Sequence, residues 1–148
     1  LASSSLDSTI CIWRRGLDEV WSVHSRLGQF IGNRNAYFDV LVDPESTILV
    51  ALNFTGAVLL WKHTDNKFVL RESFNGHSND VKSIEWNHSG DFLVSVSKDQ
   101  TTRVIAKNKE KNMYNEISRA QIHGYDINSV SVIKVKNNTI DLIICGAD

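Results

Sequence analysis

The sequence predicts an all-β fold, a partial propeller of short antiparallel blades, and three observations carry that prediction. Residues 1–7 (LASSSLD), 49–55 (LVALNFT), 93–99 (LVSVSKD) and 142–148 (LIICGAD) each open on Leu and continue through small or apolar residues. They recur at spacings of 48, 44 and 49 residues, and three of the four close on Asp, Thr55 being the exception. Six positions after the closing residue stand Trp13, Trp61 and Ile105. Self-similarity at a near-constant period is the signature of a repeat architecture. Within each period, β-branched and apolar runs alternate with turns rich in Gly, Asn and Asp, as strands and their connections do.

Taken in order, residues 1–5 and 9–13 are the first two strands, 14–18 (RRGLD) a polar turn and 19–25 (EVWSVHS) an outer strand. Residues 28–35 hold two Gly and two Asn and form a loop. Strands follow at 37–42, 48–53, 57–61 and 67–74, with turns at 43–46, 54–56 and 63–66; the only proline, Pro44, falls in the first of these. The third unit reads as strands at 81–86 (VKSIEW), 92–97, 101–105 and 116–122, with a tight turn at 98–100 and a charged loop at 107–112 (KNKEKN). Residues 127–135, 136–139 and 140–145 give strand, turn and strand of a fourth. The runs at 49–52 and 140–145 are nearly continuously apolar, as inner strands covered on both faces should be. No stretch of helical period stands out.

Gly76-His77 ahead of the Asp99 turn is the mark of a WD40 repeat, and in the second unit Gly32-Asn33 falls at the same place. The expected fold is therefore a WD40 β-propeller, about three consecutive four-stranded blades, the outer ones incomplete. The units are roughly 1–30, 31–74, 75–122 and 123–148. A chain that opens at Leu1 inside a strand and stops at Asp148 in a turn reads as a piece of a longer protein, because a closed propeller needs about 4–8 blades.

Sixteen Lys and Arg against 17 Asp and Glu argue neither for nor against a nucleic-acid partner. No apolar run reaches the roughly 18 residues needed to cross a bilayer, so no membrane association is expected. Cys11 and Cys145 lie in different units and form no Cys-x-x-Cys pair, which suits buried free thiols of an intracellular protein.

His77, Ser95 or Ser97, and Asp99 are the residue types of a hydrolytic triad. The same residues form the internal hydrogen-bond network of a WD40 blade, and a nucleophile would also need a cleft and an oxyanion hole. The structural role is therefore expected, with Ile105 in place of the network's Trp. His24, His63, His88 and His123 have no carboxylate at metal-ligand spacing, no Gly-rich phosphate loop is present, and no metal or cofactor is expected. Residues 98–119 carry six Lys and Arg against three Asp and Glu. Lys107, Lys109 and Lys111, flanked by Arg103 and Arg119, are the candidate partner-binding loop.

Residues 95–128 go further than periodicity. Asp99-Gln-Thr-Thr-Arg103, Gln121-Ile-His-Gly-Tyr-Asp126 and the terminal Cys-Gly-Ala-Asp resemble the family of WD40 subunits of the Elongator complex, with Tyr114 near the family's Trp and Ala120 for its Pro. About a third of the chain carries these motifs. The resemblance implies a non-catalytic scaffold whose partners are the other Elongator subunits, in a complex that modifies tRNA wobble uridines through a different, catalytic subunit. It also implies at most an indirect or weak contact with tRNA, no small-molecule substrate, and a cytoplasmic location with the nucleus as a second compartment. A WD40 adaptor of another pathway, in signalling or ubiquitin ligation, is the alternative.

Overall fold

The computed structural model describes residues 1–28, 36–45, 47–108, 110–135 and 141–148. All regular structure among them is strand. β1 (Ala2–Ser4), β2 (Ile10–Arg15) and β3 (Trp21–Leu27) form a three-stranded sheet. β4 (Tyr37–Val42), β5 (Ile48–Asn53), β6 (Ala57–Thr64) and β7 (Lys67–Asn75) form a four-stranded one. β8 (Val81–Trp86), β9 (Phe92–Ser97), β10 (Thr101–Asn108) and β11 (Met113–Ile122) form the next, and β12 (Ile127–Lys134) pairs with β13 (Asp141–Ala147). Every pairing is antiparallel and between chain neighbours. Two complete blades thus stand between two smaller sheets, and the set does not close on itself. Gly32-Asn33, Lys109 and the expected turn at 136–139 lie outside the described residues.

The sheets stack face to face through the alternation of their strands. On β5, Ile48, Val50 and Leu52 face the third sheet and meet Ile84, Leu93 and Ile105, while Leu49 and Ala51 face the first and cluster with its Ile10 and with Tyr37 of their own sheet. β9 behaves the same way. Leu93 joins the core shared with the second sheet, and Val94 and Val96 join Ile127 and Val130 of the fourth. All six residues of β5 are buried, which explains why its sequence does not alternate. Two T-shaped aromatic pairs brace these layers, Tyr37 on Trp61 and Trp86 on Tyr114.

The expected 63–66 turn is tighter than the sequence suggests. β6 continues to Thr64, and only Asp65 and Asn66 turn, both at positive φ (49° and 63°), the two-residue hairpin that suits the right-handed twist of its strands. The expected loop at 107–112 is also shorter: Lys107 pairs with Tyr114 and Asn108 with Met113 inside the sheet. Asn108 then closes the remaining turn, its side-chain oxygen accepting from the backbone N–H groups of Glu110 (3.0 Å) and Lys111 (3.1 Å). At the two ends of the stack, apolar side chains face outward. Leu142 and Ile144 on β13, and Trp21 and Val23 on β3, are 40–51% exposed.

Candidate functional site

The β9–β10 turn places Asp99 against His77, which the Gly76-His77 segment carries in ahead of β8. Gln100 takes positive φ (66°), and the Ser97 hydroxyl accepts from the Asp99 backbone N–H at 3.0 Å. Asp99 Oδ1 accepts from the Thr101 N–H and hydroxyl, and Oδ2 from the Ser78 N–H. His77 Nδ1 lies 3.0 Å from Oδ2 and Nε2 lies 2.9 Å from Ser95 Oγ. A carboxylate can only accept, so Nδ1 carries the proton and Nε2 accepts from the Ser95 hydroxyl. Burial pushes the Asp99 carboxyl up, but Thr101, Ser78 and His77 outweigh it and hold it at about 2. Burial also lowers the His77 pKa, against the opposing pull of Asp99, so the imidazole is neutral at pH 7.

Ser95, His77 and Asp99 have the geometry of a nucleophile, a base and its orienting acid. Ser95 is nevertheless fully buried, and its hydroxyl proton is given to a histidine that is itself 7% exposed. Both residues border a cleft of 280 Å³ that Arg103 and Glu116 also line, but Ser95 itself has no exposed surface and its hydroxyl is committed to the imidazole. Ser97, assigned to the same network, reaches it through the backbone: it binds the Asp99 N–H and donates to the Asn79 carbonyl.

The same turn recurs in the other units with different residues. In the first sheet Asp7 accepts from the Thr9 N–H and hydroxyl, Ser8 has positive φ, and Trp13 Nε1 donates to Ser3 Oγ at 2.8 Å. In the second, the sequence alignment put Thr55 at the Asp position, but Asn53 does the work. Its Oδ1 accepts from the Thr55 N–H and hydroxyl and from the Ala57 N–H. Asn53 ends β5, as the sequence reading has it, and its side chain also closes the turn that follows. The Gly56 position is tight as well: at φ +84°, a Cβ there would lie 2.5 Å from the His77 carbonyl.

The candidate partner-binding residues do not form one patch. Arg103 is 6% exposed and donates from Nη1 to Glu116 Oε2 at 2.6 Å, so it is a buried ion pair rather than a flank of a surface loop. Arg119 donates from Nε to the other oxygen of the same carboxylate at 2.7 Å. Burial opposes ionisation of Glu116, but Arg119 and Arg103 together hold its pKa below the ordinary value. Lys107 points from β10 into a groove of 680 Å³ between the two complete blades, where Lys62 and Arg71 also lie. These three cations make no ion pair among the described residues. Lys111 is exposed on the adjoining turn. Four residues of strand, about 13 Å, separate Arg103 from Lys107.

Stacked four-stranded antiparallel blades with a His–Asp–Ser network under the inter-strand turn define a WD40-repeat protein. The WD domain, G-beta repeat family model matches residues 68–105, the stretch that holds the network. Within that class, the chain is a relative of the proteins named Elongator complex protein 2. It is 33% identical to that of Schizosaccharomyces pombe over 88% of its own length, 34% to that of Danio rerio over 90% and 32% to that of Homo sapiens over 90%. The chain spans less than a fifth of each of these relatives, 19%, 17% and 17%. Among the described residues no helix is long and apolar enough to cross a membrane, and no His, Cys, Asp and Glu cluster could hold a metal ion.

Proposed function

We propose that this chain is part of a non-catalytic WD40 scaffold subunit of Elongator and supports tRNA wobble-uridine modification through protein–protein contacts. The observation that carries this reading is the relationship to Elongator complex protein 2 over nine-tenths of the chain. The full burial of Ser95, at the edge of a cleft, supports a structural rather than a hydrolytic role for this triad-like arrangement. The outward apolar faces of β3 and β13 suit further blades stacking on either side. Its partners are then the other Elongator subunits, and its location the cytoplasm, with the nucleus as a second compartment.

The contact we favour is the groove of Lys62, Arg71 and Lys107 with Lys111 on the neighbouring turn, meeting an acidic segment of a partner subunit. The three cations that line it outnumber the Glu45 and Glu72 that share the groove by one, on a chain of net charge −1, a small local excess rather than the overall basic character that phosphate binding favours. Affinity purification of the full-length protein carrying Lys107→Ser, Lys109→Ser and Lys111→Ser tests it. Loss of a subunit with RNA retention intact is expected. Loss of RNA with a flattened salt dependence, and all subunits retained, would replace the protein contact by a phosphate contact.

A further inference from the structure

A second cleft, of 280 Å³, opens where the blade departs from its repeat. It lies between the two complete blades and is lined by Val58 and Phe74 on one side and Arg103, Ile105 and Glu116 on the other. At the preceding interface the equivalent positions are Leu59 and Trp61, both buried in a core cluster, with Trp61 also bordering an apolar cleft of 400 Å³. Here Ile105 stands in the place of the Trp and Arg103 in that of the Leu. The guanidinium lies over Gly76, where a Cβ would come within 2.5 Å of Nη1. Glycine at that position is what lets Arg103 lie there.

Arg103 is incompletely used. Of its five N–H groups, Nη1 serves Glu116, while Nε is buried without a partner. The edge formed by Nε and Nη2 is the fork that grips a carboxylate through two parallel hydrogen bonds. It has no acceptor among the described residues. Glu116 is shared between Arg103 and Arg119, so the cluster of the three keeps one positive charge in excess, with Arg119 lying outside the cleft lining. Val58, Phe74 and Ile105 add apolar wall beside it. Ser73 and Asn75 at the mouth belong to β7, the edge strand of its sheet, which has no strand on its outer side among the described residues. An extended chain can lie along such an edge.

We propose that this cleft binds a carboxylate on a short apolar stem, presented by a glutamate side chain of a partner polypeptide lying along β7. The cleft's chemistry is the same whatever assembly the chain belongs to. The charge selects an anion, the free edge selects a planar one, and the walls select a stem of a few methylenes over a bare ion.

Calorimetric titration of the full-length protein tests this with three probes: a six-residue peptide with one central glutamate, its glutamine counterpart, and butyrate. Saturable binding of the glutamate peptide is expected, at least tenfold tighter than the glutamine peptide and tighter than butyrate. Arg103→Gln should abolish it. Because that variant risks misfolding, Glu116→Gln is the second arm: freeing Nη1 and removing the competing charge should tighten the glutamate peptide severalfold. Equal binding of the two peptides, no tightening in Glu116→Gln, or no saturation in either protein would overturn the proposal. Butyrate binding as tightly as the peptide would assign the site to free small carboxylates and overturn the polypeptide source.

Discussion

Replacing Asp99 by alanine removes the acceptor on which four donors converge: the imidazole Nδ1–H of His77, the Ser78 N–H, and the N–H and hydroxyl of Thr101. Ser78 is exposed and can turn to water at little cost. His77 is buried, and while Nε2 keeps Ser95, the Nδ1–H keeps only the longer contact to the Thr101 hydroxyl at 3.2 Å. A buried donor stripped of its partner costs about 1–3 kcal/mol, and the lost turn bonds of Thr101 add about 1 kcal/mol. We therefore expect Asp99→Ala to weaken the third blade by about 3 kcal/mol, which is roughly a hundredfold in its opening equilibrium. Hydrogen exchange of the 92–108 amides in the full-length protein reads this locally, without assuming that a long chain unfolds in one step. Asp7→Ala is the internal control. Asp7 holds the equivalent turn at Thr9 but sits in solvent with no histidine against it, so its loss should cost clearly less than that of Asp99. Equal effects of the two substitutions would refute the assignment of the cost to the buried imidazole.

Acid should weaken the same blade. The folded pKa of Asp99, about 2 against 3.8, is depressed, so its contribution, about 2 kcal/mol, is present above pH 4 and is lost as pH falls towards 2. His77 is depressed too, so its share is present above pH 6.5 and fades below it; exchange at 92–108 that is flat from pH 7 to 3 would contradict both. Ile105→Trp should raise the thermal midpoint by a few degrees, because the ring can fill the 280 Å³ cleft and offer Nε1 to Ser95 Oγ as Trp13 does to Ser3. A fall in the midpoint would mean that the Arg103–Glu116 pair leaves no room. Asn53→Ala should cost about 1–3 kcal/mol, read as faster exchange at 48–60, since three donors lose one buried acceptor. An effect under about 0.5 kcal/mol would show that Thr55 holds the turn unaided.

Much of the fold was legible because most turns in this chain announce themselves. Asp-Pro, Asn-His-Ser-Gly and Lys-Asp-Gln bracket β-branched runs, and the bounds of β4, β5, β8 and β9 coincide with those runs. What the sequence hid was what strand pairing can override. The Lys- and Asn-rich stretch after Ala106 has poor β propensity, yet β10 continues through Lys107 and Asn108 because Tyr114 and Met113 stand opposite. Arg103 reads as surface because arginine is seldom fully buried. Only the return of β11, with a register shift beside Val104, brings Glu116 to its side. The Asp99–His77 contact was legible through the repeat. The exchange of roles between Thr55 and Asn53 was not, because an alignment by position does not see which of two polar neighbours reaches the turn.

The seating of Gly56 under the His77 and Asn79 carbonyls has a mechanical consequence. That turn of one complete blade is keyed into the segment that leads into the next, and Glu72 of the first accepts from the Tyr114 N–H of the second at 2.9 Å. Pulled apart by handles at Ala36 and Ile122, the two blades should resist as one body. The load passes through the key and the shared core before any hairpin is sheared. A force trace should then show one rupture, and Gly56→Ala should split it into two smaller ones. Two ruptures in the unaltered protein would mean that the blades bear force separately.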